Sequence, residues 1–119
     1  TYGNELFVAV GASGTILNSS DGISWTSRTS GTSTSLWGVG YGNGLYVVLG
    51  SSGTILTSSD GSTWTSRTSG TSQSIMKVAY GNGLFVVVGN AGTIITSSDG
   101  VTWTSRTSGT SGSLYNVTY

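Results

Sequence analysis

The chain has 119 residues, the size of one domain, and is long enough to bury a hydrophobic core. Its four basic and four acidic residues cancel to a net charge of zero, which disfavours nucleic acid and anionic membranes as partners. It contains neither cysteine nor histidine, which excludes disulfides and thiolate metal sites and removes most acid–base catalysis near neutral pH, so we expect no metal, no cofactor and no enzymatic activity.

A short sequence motif recurs along the chain at a constant interval. The triplet Tyr2-Gly3-Asn4 returns as Tyr41-Gly42-Asn43 and as Tyr80-Gly81-Asn82, which gives a period of 39 residues. The repeats are therefore 2–40, 41–79 and 80–118, and Tyr119 begins a fourth period. Long stretches recur almost unchanged, which indicates either recent amplification of one unit or an engineered repeat protein.

Each period is predicted to contain four short strands. In the middle copy the Asn43-Gly44 pair predicts a type I′ hairpin, because both residues tolerate positive φ, and Asp60-Gly61 predicts a second hairpin. No apolar stripe with a period of 3.6 residues indicates a helix. The strands predicted for this copy are 35–41, 45–49, 54–57 and 63–68, with a further turn at 50–53.

The strands differ in polarity across the repeat. Strand 45–49 is apolar throughout, so both of its faces should be covered. Strand 63–68 consists mostly of Thr, Ser and Arg, as expected of an exposed edge. A repeated four-stranded meander with a buried inner part and a polar outer edge is typical of a propeller blade. The predicted fold class is all-β, a β-propeller fragment of three four-stranded blades in one unit, 1–119.

The ends of the chain suggest how a ring would close. The chain enters at the end of a first strand (Thr1-Tyr2) and finishes with another first strand, 113–119. Propellers typically have about 4–8 blades, so three are too few. We expect 113–119 of one chain to supply the first strand of the opening blade of a neighbouring chain. This makes the chain its own partner; a dimer with six blades is preferred to a trimer with nine.

The segments 53–61 and 80–89 resemble bacterial propeller repeats of the Asp-box kind, a group that includes sialidase-like and photosystem-II-assembly-factor-like propellers. The resemblance covers the whole chain once per period, and it implies a propeller blade without implying an activity. In the usual motif, Ser-x-Asp-x-Gly-x-Thr-Trp, the step from Asp to Trp is five residues, whereas the step from Asp60 to Trp64 is four. The turn is therefore expected to be one residue tighter.

Three sets of repeated residues are candidate functional groups. An Asp in each period could bind a metal or act as an acid, but its sequence neighbours favour a turn in which the carboxylate accepts backbone N–H bonds. A Trp in each period could stack on sugars, but packing between blades is favoured. An Arg in each period is expected to protect the edge or form local hydrogen bonds. These sets are Asp21, Asp60, Asp99; Trp25, Trp64, Trp103; and Arg28, Arg67, Arg106.

The first strand carries the largest differences between repeats. The positions are Trp37, Met76 and Tyr115, followed by Gly38, Lys77 and Asn116. Because this strand lines the axis of a propeller, we interpret Trp37, Met76, Tyr115, Lys77 and Asn116 as candidate ligand-binding residues. Neutral drift or repacking of the core is the alternative explanation.

Two functions are consistent with these patterns. The preferred one is a self-assembling structural or interaction module without catalytic activity. The alternative is a multivalent lectin with one shallow glycan site per blade or blade junction, since several weak sites on one ring gain avidity. The low charge and the abundance of Ser, Thr and Gly are typical of a secreted or surface-displayed bacterial module.

Overall fold

The computed structural model describes residues 1–119 and contains three four-stranded antiparallel sheets. In each sheet the strands are neighbours in chain order. The prediction of three four-stranded, all-β units is therefore confirmed. Sheet 1 contains β1 (Tyr2–Gly3), β2 (Leu6–Val10), β3 (Ile16–Ser19) and β4 (Thr26–Arg28); sheet 2 contains β5 (Leu36–Gly42), β6 (Leu45–Gly50), β7 (Ile55–Ser58) and β8 (Thr65–Arg67); sheet 3 contains β9 (Ile75–Gly81), β10 (Leu84–Gly89), β11 (Ile94–Ser97) and β12 (Thr104–Arg106).

The hairpins between the first two strands of each sheet have the predicted backbone. Asn43 and Gly44 have φ angles of 49° and 75°, as a type I′ turn requires. In sheet 1 the second turn position is Glu5, with a φ of 61°, so a residue with a β-carbon occupies the left-handed region there.

The connection between the second and third strands is more ordered than a simple turn. It is a three-residue 3-10 turn in every sheet: Ala12–Gly14, Ser51–Gly53 and Asn90–Gly92. In sheet 2 the central Ser52 is left-handed, with a φ of 56°, and Thr54 Oγ1 donates to Ser51 O at 2.8 Å. No strand-free segment forms an α-helix, and no helix in the structure has the length and apolar character needed to cross a membrane.

The core consists of two layers between successive sheets. One layer joins sheet 1 to sheet 2 and includes Val8, Ile16 and Tyr46; the other joins sheet 2 to sheet 3 and includes Val47 and Phe85. Each sheet thus has an incoming face, which meets the preceding sheet, and an outgoing face, which meets the following one. Because side chains alternate across a strand, the apolar second strand supplies both faces.

Small residues on the innermost strands allow neighbouring sheets to approach closely. The Tyr80 ring lies so near Gly42 that a β-carbon there would come within 2.2 Å of it, and Tyr41 lies over Gly3 in the same way. Gly38 faces the carbonyl oxygen of Met76, which a β-carbon would approach to 2.3 Å. The innermost strands therefore pack side by side, which is the arrangement around a propeller axis.

Residues 113–119, predicted as a first strand, have no ladder partner within the chain. They lie against sheet 3 in the place that β5 takes against sheet 1. Leu114 N donates to Gly89 O at 2.9 Å, as Leu36 N donates to Gly11 O at 3.0 Å. The Tyr119 ring lies over Gly81, where a β-carbon would come within 2.0 Å of it. The segment is thus laid out as the innermost strand of a fourth sheet.

Candidate functional site

A β-bulge places the first divergent residue of each innermost strand. Leu36 and Gly38 pair with adjacent residues of β6, Gly50 and Leu49, so Trp37 is the extra residue on β5. In sheet 3 the register shifts in the same place, where Met76 is the extra residue on β9. Bulges re-aim a side chain away from the regular pleat. This explains why large, dissimilar side chains are accommodated at one position of otherwise near-identical repeats.

These residues form the rim of the innermost strands. Trp37 is 53% exposed, and its indole Nε1 donates to Ser51 Oγ at 2.9 Å. Met76 is half-buried, and Tyr115, at the corresponding position of the carboxy-terminal segment, is 71% exposed. We call Trp37, Met76 and Tyr115 the rim residues. They present two aromatic rings and a thioether on β5, β9 and the carboxy-terminal segment beside them.

The position after each rim residue is polar in the last two periods. Lys77 is exposed, and its charge, together with the larger effect of burial, lowers the pKa of the Thr1 amino group. Asn116 is also exposed, and its side-chain oxygen accepts a hydrogen bond from Val117 N at 3.0 Å.

The repeated aspartates each organise a tight turn. Asp60 Oδ1 accepts bonds from the backbone of Thr63 and Ser62, both at 2.8 Å, and from Ser58 Oγ at 2.9 Å. These bonds, that of Thr63 foremost, lower the pKa of Asp60, and the corresponding bonds lower those of Asp21 and Asp99. No group of three or more acidic, His or Cys residues lies close enough together to hold a metal ion.

The repeated tryptophans have two different environments. Trp64 and Trp103 are partly buried in the layers between sheets, with ring centroids 6.3 Å from Tyr46 and 6.2 Å from Phe85 respectively. Trp25 occupies the same repeat position in sheet 1 but is 42% exposed. The difference arises because the incoming face of sheet 1 is not covered by another sheet in this structure.

The exposure of Trp25 belongs to a whole exposed face. Phe7 is 37% exposed, whereas Tyr46 and Phe85, at the same position of the next two repeats, are 0% and 1% exposed. Tyr2 is likewise exposed, although Tyr41 in sheet 2 is half-buried. The incoming face of sheet 1 therefore leaves open the aromatic positions that the rest of the chain buries.

The hydrogen bonding of each repeated arginine depends on the residue beside it on the third strand. Arg67 Nε donates to Thr57 Oγ1 at 2.9 Å, and Arg106 Nε donates to Thr96 Oγ1 at 2.9 Å. In sheet 1 the corresponding residue is Asn18, and Arg28 Nε is buried without a partner. The arginines are spread over three separate sheets and do not converge on one point.

Asn18 has a second effect on the neighbouring sheet. Its Nδ2 reaches across to sheet 2 and donates to Gly61 O at 2.8 Å. In sheet 3 the equivalent carbonyl, Gly100 O, accepts from Trp103 Nε1 at 3.2 Å, whereas Trp64 Nε1 is buried without a partner. One departure from the repeat thus leaves two buried donors unsatisfied. Sequence comparison of the repeats shows the departure, but its consequence depends on contacts between residues about 43 positions apart.

Comparison with known proteins supports the fold. No protein-family model matches the chain, and no curated protein is significantly similar to it. A solved structure described as "YCF48 bound to D1 peptide" matches 82% of this chain with a TM-score of 0.70 and 22% sequence identity. The match spans 34% of that chain, so this chain corresponds to about a third of its length. YCF48 is a photosystem II assembly factor and a β-propeller. The chain described here has a β-propeller-type fold, and its three four-stranded sheets match a fragment of such a propeller.

Proposed function

We propose that this chain is a non-catalytic interaction module that closes a propeller ring with copies of itself. The observation that carries the proposal is the incoming face of sheet 1, which exposes Phe7, Trp25 and Tyr2 although their counterparts in sheets 2 and 3 are packed against a preceding sheet. Contiguous exposed apolar surface of this kind marks an interaction site. An assembly-factor propeller such as YCF48 is consistent with a structural or interaction role.

The other half of the proposed contact is the outgoing face of sheet 3. Leu84, Val86 and Ile94 on this face are only half-buried, whereas the corresponding Val47 and Ile55 of sheet 2 are fully buried under sheet 3. Sheet 1 of a second copy, packed on sheet 3 as sheet 3 packs on sheet 2, covers both open faces. Such head-to-tail contacts form a ring when the rotation closes.

The short innermost strand of sheet 1 indicates where segment 113–119 of a second copy would pair with β2. Strand β1 has two residues, whereas β5 and β9 have seven each. From Ala9 onwards β2 therefore has no pairing strand on its β1 side, while β3 pairs with its other side. In sheet 2 Ser51 N donates to Ser35 O at 3.0 Å; in the proposed ring Ala12 N donates to Ser113 O of a second copy. Residues Thr118-Tyr119 repeat Thr1-Tyr2, so only one of these two pairs can take that position in the ring. In the proposed ring the incoming segment pairs as far as Val117, and Thr118-Tyr119 gives way to Thr1-Tyr2 of the second copy.

Two copies then give six blades, within the common range of about 4–8, and three copies give nine. Light scattering of the 119-residue chain over a concentration series is expected to give twice the 12.1 kDa mass of one chain. Phe7→Asp is expected to yield a folded monomer, because Phe7 makes no contact with a preceding sheet within its own chain. Ser27→Asp, on the outer strand of the same sheet and exposed like its counterparts Ser66 and Ser105, is the control and keeps the wild-type mass. A wild-type chain that stays monomeric at every concentration would refute self-assembly.

Within this module, we propose that the rim residues, with Lys77 and Asn116, contact a peptide segment of a protein partner. Exposed aromatic side chains are the residues that anchor protein interfaces. The exposed Lys77 favours an acidic residue in the bound peptide. YCF48 is described as bound to a D1 peptide, which makes a peptide a reasonable kind of partner for this fold.

An array of random 12-residue peptides, probed with the labelled chain, tests this surface. We expect the bound peptides to contain an aromatic or aliphatic residue near an acidic one. Trp37→Ala and Tyr115→Ala should each weaken binding, whereas Ser27→Ala, on the exposed outer strand of sheet 1, should leave it unchanged. Peptides that bind the rim variants as well as the wild type, or an array with no bound peptide, would contradict the assignment.

A second candidate function is carbohydrate binding. It is favoured by a groove of about 740 Å³ beside sheet 2, in which only Leu56 and Trp64 are apolar and most of the remaining lining residues are Ser, Thr and Gly, with Arg67. Hydroxyl groups both donate and accept, as sugar hydroxyls require of their partners. A glycan array probed with the chain tests this candidate, and the absence of any bound glycan would remove it.

A further inference from the structure

Two polar pockets occupy the same repeat position on sheets 2 and 3. Their volumes are about 280 Å³ and 300 Å³. Both lie on the outer part of the sheet, where the third and fourth strands and the Asp turn meet. Their linings correspond at a step of one period, except that Asp60 of sheet 2 has no counterpart in the sheet 3 lining. The shared residues include Thr57, Thr65 and Arg67 on sheet 2, and Thr96, Thr104 and Arg106 on sheet 3.

The arginine of each pocket is held in one orientation. Its Nε donates to the threonine on the third strand at 2.9 Å in both sheets. This single bond uses the inner edge of the guanidinium and leaves its two terminal amino groups as a fixed pair of donors. A pre-oriented guanidinium loses less entropy on binding than a mobile one. The pair is therefore suited to two neighbouring oxygens of a ligand.

The pocket on sheet 2 also contains an acceptor. Asp60 lines it, and its Oδ1 is occupied by the turn while its Oδ2 accepts none of those bonds. The carboxylate is charged at neutral pH, because the turn bonds, that of Thr63 foremost, lower its pKa. The charges of Asp60 and Arg67 cancel. A neutral ligand with several hydroxyl groups suits this lining better than an anion does.

Sheet 1 has no such pocket, and it differs at two of the corresponding lining positions: Asn18 replaces Thr57, and Ser24 replaces Thr63. The Asn18 side chain extends to Gly61 O and, at 3.4 Å, to Ser62 Oγ of sheet 2. Arg28 consequently has no anchor for its Nε. Sheet 1 therefore gives an internal comparison, in which the threonine and the anchored arginine are lost together with the pocket.

The pocket on sheet 2 stays open although sheet 3 packs against that sheet. Sheet 3 packs directly on sheet 2, yet the pocket on sheet 2 is lined by residues of sheet 2 alone. By the same geometry, a second copy that packs on sheet 3 leaves the sheet 3 pocket accessible. The inference holds for a single chain and for a closed ring.

We propose that these two pockets bind one neutral hexose-type sugar residue each; the proposal rests on the second candidate function, carbohydrate binding, and places the sugar in these pockets and not in the larger groove beside sheet 2. Arg67 and Arg106 donate to adjacent sugar hydroxyls, and Asp60 accepts from a third in the sheet 2 pocket. The volumes lie at the lower end of ligand pockets, which begin at about 300 Å³, and suit one sugar residue rather than a long chain. Repetition around a ring converts weak single sites into avidity.

The test is a titration followed by nuclear magnetic resonance on the ¹⁵N-labelled 119-residue chain. The probes are methyl β-galactoside, methyl β-glucoside and methyl α-mannoside, with sodium acetate as the anion control. At least one glycoside is expected to shift the Arg67 and Arg106 Nε–H signals and the Thr65 and Thr104 amide signals, and acetate is not. In Arg67→Gln/Arg106→Gln the dissociation constant should rise at least tenfold, equivalent to about 1.4 kcal/mol.

The Asn18→Thr variant supplies the sharpest readout. Restoring the threonine should create a third pocket, so the Arg28 Nε–H and Thr26 amide signals should respond to the same glycoside as well. Glycoside shifts confined to other residues would overturn the pocket assignment and leave carbohydrate binding standing. No shift with any glycoside, together with an empty glycan array, would overturn both. Shifts with acetate alone would overturn the sugar in favour of an anion, and light scattering of the same samples reports self-assembly independently.

Discussion

Replacing Asn18 by threonine should make the protein more stable, although it removes two hydrogen bonds. Asn18 donates to Gly61 O at 2.8 Å and more weakly to Ser62 Oγ at 3.4 Å. In exchange, Arg28 Nε and Trp64 Nε1, both buried and without partners, regain the acceptors that their counterparts use in sheet 3. The substitution restores the pattern of the other two repeats.

The magnitude follows from the cost of unsatisfied donors. Leaving a buried donor without a partner costs about 1–3 kcal/mol, whereas a satisfied hydrogen bond contributes about 0.5–1.5 kcal/mol. Two restored donors against one good and one weak bond lost give a net stabilisation of about 2 kcal/mol. For a domain of this size that corresponds to a rise in Tm of roughly 6–10 °C.

Urea denaturation followed by tryptophan fluorescence and circular dichroism measures this change. Both proteins are compared at equal chain concentration, since self-association shifts apparent stability. The reciprocal variant Thr57→Asn is the matched control: it should leave Arg67 Nε unsatisfied, compete for Gly100 O with Trp103 Nε1, and destabilise the chain. If Asn18→Thr lowers the free energy of unfolding, or if both variants are neutral, the account of the two orphaned donors is wrong.

Two further predictions concern stability. Asp21, Asp60 and Asp99 have pKa values lowered by bonds from the turn backbone, so the stability they add is present above the unfolded-state pKa of about 3.9 and is lost as pH falls through the folded-state value. Urea titrations at successive pH values should show this loss. Asp60→Asn should weaken the pH dependence of the free energy of unfolding, and an unchanged dependence would argue against these turns as its source. Gly42→Ala should destabilise the chain by several kcal/mol, since the Tyr80 ring fills the space a β-carbon needs. Gly81→Ala, which displaces only the terminal Tyr119, should lower the Tm in thermal unfolding far less. An equal loss of Tm in the two variants would contradict the packing described.

Local chemistry accounts for the parts that the sequence predicted well. The strand boundaries differ from prediction by one or two residues, and the Asn43-Gly44 turn has the expected positive φ angles. These features depend on residues a few positions apart, and the same local patterns occur in all three near-identical repeats. The four-stranded unit was therefore predictable, and so was the continuous apolar second strand with two covered faces.

The candidate site was predictable in part. The divergence of Trp37 and Met76 is visible in the sequence, but the bulge that turns them onto the rim arises from pairing with β6 and β10. The pockets on sheets 2 and 3 were missed, because the bond from Arg67 to Thr57 joins two strands and has no signature in either strand alone. The ring closure inferred from the chain ends stays a prediction.

The sequence by itself determined the period, the four strands and the turns, since each follows from short-range backbone preferences and from apolar periodicity. Only the tertiary structure decided which of three identical positions differ in environment. Phe7 is open where Phe85 is buried, and Trp25 is exposed where Trp103 is partly buried. Repeats with the same residues diverge in burial because burial depends on the neighbouring sheet, which the repeat unit does not contain.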